Sequence, residues 1–206
     1  MKLAVFGATG TTGKLILDQG LHRGHHLTAF ARDPATLGPY RDRVDVVTGD
    51  GTDPAAVTRA IAGRDAVIVA VSSKGAPTPI VATITKTIID AMTAARVERL
   101  VVVGSYGMVA HRPLLVAPML RTILAKAFRD QARAEEHLAA SDLHATVVRP
   151  TRLTNNPPST RLQISTDPLT TGPFSVSRTD LASVLLDTVE TDDTDSPDLD
   201  YLNITG

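Results

Sequence analysis

Three glycines, at positions 7, 10 and 13, follow the apolar run Leu3–Phe6 and precede the apolar-periodic run Leu15-Ile16-Leu17. A buried strand, a glycine-rich turn and a helix, in that order, form the front end of a dinucleotide-binding fold. Each glycine has a separate physical task. Gly7 permits the tight turn off the strand. Gly10 lets the backbone approach a pyrophosphate with no Cβ in the way, and Gly13 lets the helix pack close to the strand. The helix start then offers unpaired N–H groups and a positive dipole end to phosphate. The spacing is G-x-x-G-x-x-G rather than G-x-G-x-x-G, so its force comes from its position on the first strand. Thr9, Thr11 and Thr12 add hydroxyl donors. The competing reading is a glycine-rich turn without a ligand.

A chain of 206 residues is long enough for one large α/β domain, expected here to span 1–206. A formal net charge of −1 implies no broad field for nucleic acid or anionic membrane. The absence of tryptophan, with 3% aromatic residues, argues against a base-stacking platform. There is no cysteine, which removes disulfides, thiolate nucleophiles and cysteine metal sites. No apolar run approaches the roughly 18–20 residues of a membrane span. The first strand starts within two residues of Met1, so no export leader is expected and a cytoplasmic protein is the default.

Short β-rich runs alternate with helix-like segments. Strands are expected at Leu3–Phe6, His26–Ala31, Val44–Thr48, Ala66–Val71, Leu100–Val103, Ala145–Val148 and Tyr201–Thr205. Several are nearly continuous Val, Ile, Leu and Ala, as in parallel strands buried on both faces. Helices are expected at Thr12–His22, Pro54–Ile61, Ile80–Ala95, Pro118–Ala140 and Leu181–Val189. The alternation predicts a doubly wound parallel sheet with helices on both faces. Asp53-Pro54 and Thr179-Asp180 read as helix starts, with Asp53 and Asp180 as caps. Thr151 to Pro173 breaks the pattern with turn dipeptides and reads as a long functional loop at the carboxyl edge of the sheet. The acidic run Asp192, Asp193, Asp195, Asp198 and Asp200 lacks the pattern of a calcium loop and reads as a solvated segment, with no metal site.

The chemistry-bearing residues fall at the predicted strand ends. Where an NAD site usually carries a carboxylate for the ribose, this chain has Arg32, which can grip the extra phosphate of NADP. Its bland alternative is a surface arginine paired with Asp33; Lys14 is a less certain helper. Asp50, beside Gly51 after the third strand, can accept from an adenine amino group or simply form a turn. Val71, Ser72 and Ser73 end the fourth strand and can line the cofactor ribose, or form an ordinary serine turn. Gly104 and Ser105 end the fifth strand, near the expected nicotinamide. Ser105 can donate to a carbonyl as it gains negative charge. Val103-Gly104-Ser105-Tyr106-Gly107 lacks the first glycine of a hydrolase elbow. Tyr106 reads as a proton donor or as a pocket wall, the wall being the blander choice. Helix 118–140 has an apolar face of Leu120, Ile123, Leu124, Ala127 and Phe128, which burial in its own domain explains.

Gly7-Ala8-Thr9-Gly10-Thr11-Thr12-Gly13, Ala31-Arg32-Asp33-Pro34, Gly49-Asp50, Val103-Gly104-Ser105, Val147-Val148-Arg149-Pro150 and Ser177-Arg178-Thr179-Asp180-Leu181-Ala182 occur in that order. In that order they resemble the atypical short-chain dehydrogenases/reductases, and most the biliverdin reductase B and flavin reductase branch, over essentially the whole chain. The resemblance implies a Rossmann sheet in the order 3-2-1-4-5-6-7, NADP(H) as cofactor with Pro150 and Thr151 beside it, and reduction of flavins, tetrapyrroles or other conjugated acceptors. The chain departs from it twice. None of Tyr40, Tyr106 and Tyr201 has a lysine four residues later, so the Tyr-x-x-x-Lys acid/base pair is missing. Thr151 stands where the biliverdin reductase B type has a histidine, which puts biliverdin itself in doubt. His111 and His137 are the remaining candidate histidines, and His137, on an expected helix face, reads as structural or exposed.

Without a strong acid, the simplest chemistry is hydride delivery from NADPH to an electron-poor acceptor, with water returning the proton. The pocket walls would be 106–118 and 151–174. The alternative is an NADP(H)-binding redox sensor without turnover. A third reading, an epimerase or dehydratase, needs the acid/base pair that is absent. Expected partners are a small-molecule acceptor, with neither nucleic acid nor membrane, in a monomer or homodimer.

Overall fold

The computed structural model describes residues 1–72, 80–108, 117–169, 174–191 and 199–206, the side chains of 108 and 117–124 excepted. Strand β1 (Lys2–Phe6) is followed by helix α1 (Thr11–His22), β2 (His26–Ala31), a 3₁₀ segment (Pro34–Tyr40) and β3 (Asp45–Thr48). Then come α2 (Pro54–Ile61), β4 (Ala66–Val69), α3 (Val81–Ala95), β5 (Arg99–Val103), a 3₁₀ turn (Tyr106–Met108) and α4 (Ala117–Ala139). The chain closes with β6 (His144–Pro150), β7 (Arg152–Thr154), β8 (Gln163–Ser165), β9 (Ser175–Ser177), α5 (Arg178–Glu190) and β10 (Asp200–Thr205).

The main sheet runs β3-β2-β1-β4-β5-β6-β10-β8, and β7 pairs with β9 separately. All pairings in the main sheet are parallel except β10 with β8. The seven parallel strands take the expected 3-2-1-4-5-6-7 order, with β10 as the seventh. The antiparallel β8 at the edge was not expected.

Alternation along each strand feeds two cores. Leu3 and Val5 of β1 pack with Ile16 and Leu17 of α1 and with Leu181 and Leu185 of α5. Ala4 and Phe6 pack with Val57 and Ile61 of α2 and with Ile88 and Met92 of α3. Phe6 and Phe30 stack across the pair with ring centroids 4.7 Å apart. Full burial of a side chain such as Phe6 contributes about 1.5–3 kcal/mol.

Three expectations are corrected. β4 ends at Val69, not Val71, because β1 turns away at Gly7 and leaves only the Ala70 N–H bond to the Phe6 carbonyl. The expected loop from Thr151 to Pro173 contains β7 and β8; three-residue polar strands carry too little apolar pattern to show between prolines. Asp180 is not the cap of α5, which begins at Arg178. Ser177 is the N-cap and accepts from the Asp180 N–H, while Asp180 accepts from the Ser177 hydroxyl and the Ser159 N–H. Asp53 caps α2 as expected, through the Ala55 N–H. Asp33-Pro34 does the same for the 3₁₀ segment, through Ala35.

Among the described residues, no helix is long and apolar enough to cross a membrane, and no group of three or more His, Asp or Glu is placed to hold a metal. Of the acidic run, 192–198 lies outside the described residues; Asp200 opens β10.

Candidate cofactor and acceptor site

The parallel strands deliver their carboxyl ends to one edge, where Gly7, Arg32, Val71, Gly104 and Thr151 all emerge. Gly7 has φ +79°, and a Cβ there would lie 2.4 Å from the Ala70 carbonyl oxygen. A Cβ on Gly13 would lie 2.1 Å from the Gly7 oxygen, so β1 and α1 meet backbone to backbone. Gly10 differs: its Cβ would meet only the Gly7 oxygen, at 3.3 Å, and the residue is exposed. Gly10 is also the N-cap of α1, with no side-chain cap and no acidic residue in the first turn. The helix start therefore faces outward with open space and undirected N–H groups, and the residues present fit a pyrophosphate. Thr9 and Thr12 are half-buried beside it and Thr11 is exposed.

Arg32 is exposed at the end of β2. Asp33 is not its partner, being committed to Ala35, and no ion pair of Arg32 is found among the described residues. Asp50 is an exposed turn former, accepting from both the N–H and the hydroxyl of Thr52. The hydrogen bonds from Thr52 first, and then the charge of Arg32, hold its carboxyl below the usual carboxylate range. Gly51 is buried against Ile84 of α3, where a Cβ would come within 3.0 Å. Val71 is half-buried and packs against Val81, Ala82 and Ala134; Ser72 is exposed, and Ser73 lies outside the described residues.

α4 is docked over this edge by a buried carboxylate. Asp130 accepts from the N–H groups of Val81 (2.8 Å) and Ala82 (3.0 Å), capping α3, which has no cap of its own. One turn on, Glu135 meets Arg149 of β6 at 2.5 Å, with side-chain exposures of 9% and 12%. Arg149 also lies over the ring of Tyr201, 3.7 Å from its centroid. Gly104 makes room for this pair: a Cβ there would lie 2.6 Å from Val147 and 3.1 Å from Arg149 Cγ.

Ser105 is half-buried just beyond β5, its Oγ 3.5 Å from where a Cβ of Gly107 would stand. Tyr106 is buried, and its hydroxyl donates to the Leu169 carbonyl at 3.0 Å. Pro150 and Thr151 are buried at the end of β6. Thr151 donates its N–H to Ile204 and its hydroxyl to Thr205 at 3.3 Å, so its polar groups serve the seam with β10. His137 is half-buried on α4, and His111 lies outside the described residues. Phe128 is half-buried and Ala127 exposed on the face expected to be apolar; Leu120, Ile123 and Leu124 are outside the described side chains. The sequence reading did not single out Gln131, Glu135, Asp130 or Leu169. Buried charged and amide residues on an expected amphipathic helix were the available signal.

A family model described as NAD(P)H-binding matches residues 7–192. The chain belongs to the NAD(P)H-binding family. Its cofactor is thus a nicotinamide dinucleotide, as the edge geometry accommodates. Solved structures carry the same fold. A short-chain dehydrogenase/reductase of Veillonella parvula in complex with NADP is 18% identical, with TM-score 0.85, covering 100% of this chain and 94% of that one. An anaerobilin reductase, ChuY, of Escherichia coli O157:H7 is 21% identical, with TM-score 0.82, covering 99% and 96%. A Burkholderia pseudomallei protein whose name proposes export is 28% identical, with TM-score 0.79, covering 100% of both chains.

Proposed function

We propose that the protein is a cytoplasmic NADPH-dependent reductase that passes hydride to a flavin, quinone-like, tetrapyrrole or other conjugated acceptor. The observation that carries this reading is the disposition of the tyrosines. Tyr40 donates to Asp18 at 3.4 Å, Tyr106 donates to Leu169, and the Tyr201 ring covers Arg149, its hydroxyl pushed up chiefly by burial. No tyrosine is left as a tuned acid, which suits an acceptor that delocalises the arriving charge and needs no such donor.

The bound dihydronicotinamide supplies a hydride, two electrons and one hydrogen nucleus. The chain's own groups do the rest. The Gly7 to Gly13 turn and the start of α1 bind the pyrophosphate, with Thr9, Thr11 and Thr12 as further donors. Arg32 holds the 2′-phosphate and so selects NADPH over NADH. Asp50 and Gly51 would flank the adenine, and Val71 and Ser72 would border the ribose. Gly104, Pro150 and Thr151 bound the nicotinamide side. Ser105 orients the acceptor by donating to it, Tyr106 forms a wall of the pocket, and water returns the proton.

The test is NADPH oxidation with flavins, quinones and tetrapyrroles in turn. Turnover with at least one class is the expected result. Tight NADPH binding without turnover across the panel would favour a regulatory NADP(H) sensor.

A further inference from the structure

The start of α3 takes its cap from another helix. α2 and α5 are capped by the residues just before them in sequence, Asp53 and Ser177. α3 begins after Ile80, which offers no side-chain cap, and the N–H groups of Val81 and Ala82 donate instead to Asp130 of α4, 49 and 48 residues away. A cap from the adjoining sequence stabilises its own helix alone, whereas one from so far along the chain fixes two helices to each other. Asp130 is only 5% exposed, so water competes little for its oxygens. The junction stands beside the cofactor turn. Val81 and Ala82 pack with Ala134, one turn on from Asp130, and Val71 packs against all three. Val71 follows the end of β4, and its backbone N lies 3.1 Å from where a Cβ on Gly7 would stand. Contact therefore runs from Asp130, through the first residues of α3, to Val71 and on to the first glycine of the dinucleotide turn.

We propose that Asp130 is a positioning residue for the cofactor: it fixes the start of α3, which seats Val71 beside the Gly7 turn, and through Val71 it sets the affinity for NADPH. This rests on the reading of Val71 as a residue bordering the ribose, and it adds a determinant of binding that acts through Val71 rather than by contact. With the carboxylate removed, the N–H groups of Val81 and Ala82 lose their acceptor and the first turn of α3 frays. Val71 then loses the surface it packs on. The end of β4 stays in place, because the Ala70 N–H still donates to the Phe6 carbonyl. The change is thus confined to the wall beside the ribose. Binding must first reorder that wall, and the cost appears as weaker affinity.

The experiment measures NADPH binding by calorimetry, which needs neither acceptor nor turnover. Wild type is compared with Asp130→Ala, with Val71→Ala and with the two changes combined. Met92→Ala weakens the same helix without touching the junction: Met92 is fully buried, about three turns further along α3. Thermal midpoints are measured in parallel. The dissociation constant should rise about 3- to 30-fold in Asp130→Ala, the weight of a lost cap. Met92→Ala should lower the thermal midpoint, as large-to-small core changes do, and hold the dissociation constant within about twofold. In the Val71→Ala background, Asp130→Ala should change the constant by less than about twofold, since the contact it acts through is gone. Should Asp130→Ala not fold, the same cycle is run with Asp130→Asn, which keeps one accepting oxygen and should show a smaller loss. Wild-type affinity in the Asp130 variant would overturn the proposal. So would an equal loss of affinity in Met92→Ala, which makes Asp130 a stabiliser of α3 and nothing more. An undiminished effect in the Val71→Ala background would also overturn it, by removing Val71 from the path. If wild type itself binds no NADPH, the cofactor reading of this edge falls and takes the proposal with it.

Discussion

The hydroxyl of Tyr106, at the carboxyl edge of the sheet, donates to the main-chain carbonyl of Leu169 at 3.0 Å. That bond ties the turn after β5 to the segment after β8. It also engages the phenol proton that a dehydrogenase of the tyrosine type would use. Tyr106→Phe should therefore keep the rate of hydride transfer within about threefold, well short of the 10²–10⁴-fold loss of a general acid. Single-turnover kinetics checks this. A loss of 10²-fold or more with NADPH still bound would make Tyr106 the proton donor.

Gly10 and Gly13 should fail in different ways. A side chain at 13 would drive into the Gly7 oxygen at 2.1 Å, whereas one at 10 would meet only that oxygen, at 3.3 Å. Gly13→Ala should unfold at lower denaturant, because β1 and α1 can no longer touch. Gly10→Val should unfold near the wild-type midpoint and lose cofactor binding. Calorimetry showing wild-type NADPH affinity in Gly10→Val would contradict the assignment of the turn.

Glu135 and Arg149 form a buried pair, and removing one partner strands the other. Arg149→Met should cost about 3–5 kcal/mol, as broken buried pairs do. The double change Arg149→Met with Glu135→Leu should recover much of that loss, since two apolar side chains need no compensation. Urea unfolding of the two single variants and the double variant measures the coupling directly.

Arg32→Ala should weaken NADPH by about 1.5–3 kcal/mol, the contribution of hydrogen bonds to a charged group, and leave NADH nearly unchanged. Titration with both cofactors decides it. Equal affinity of the wild type for NADPH and NADH would remove Arg32 from the 2′-phosphate.

The parts of this fold that were legible in sequence are those where a local pattern decides structure. Continuous apolar runs made β1, β2 and β6 visible, and Asp53-Pro54 marked the start of α2 to the residue. The seven-strand order came from resemblance, and β8 escaped because Gln163-Ile164-Ser165 has one apolar residue and depends on pairing with β10. At the site, Gly7 and Gly13 announced close backbone contacts that the structure contains. Thr151 and Tyr106 follow the ends of β6 and β5, but their hydroxyl partners, Thr205 and Leu169, are 54 and 63 residues away, and no local spacing reveals them.

The central claim is direct hydride transfer from NADPH to a conjugated acceptor without a tyrosine acid. The most direct test is an anaerobic single turnover. Protein loaded with NADPH deuterated at the transferred position is mixed with flavin or menadione, and loss of the nicotinamide absorbance is followed. The account predicts acceptor reduction matching NADPH loss one to one, slower than with ordinary NADPH, and retained in Tyr106→Phe. NADPH that stays bound and unoxidised with every acceptor, or oxidation that disappears in Tyr106→Phe, would contradict it.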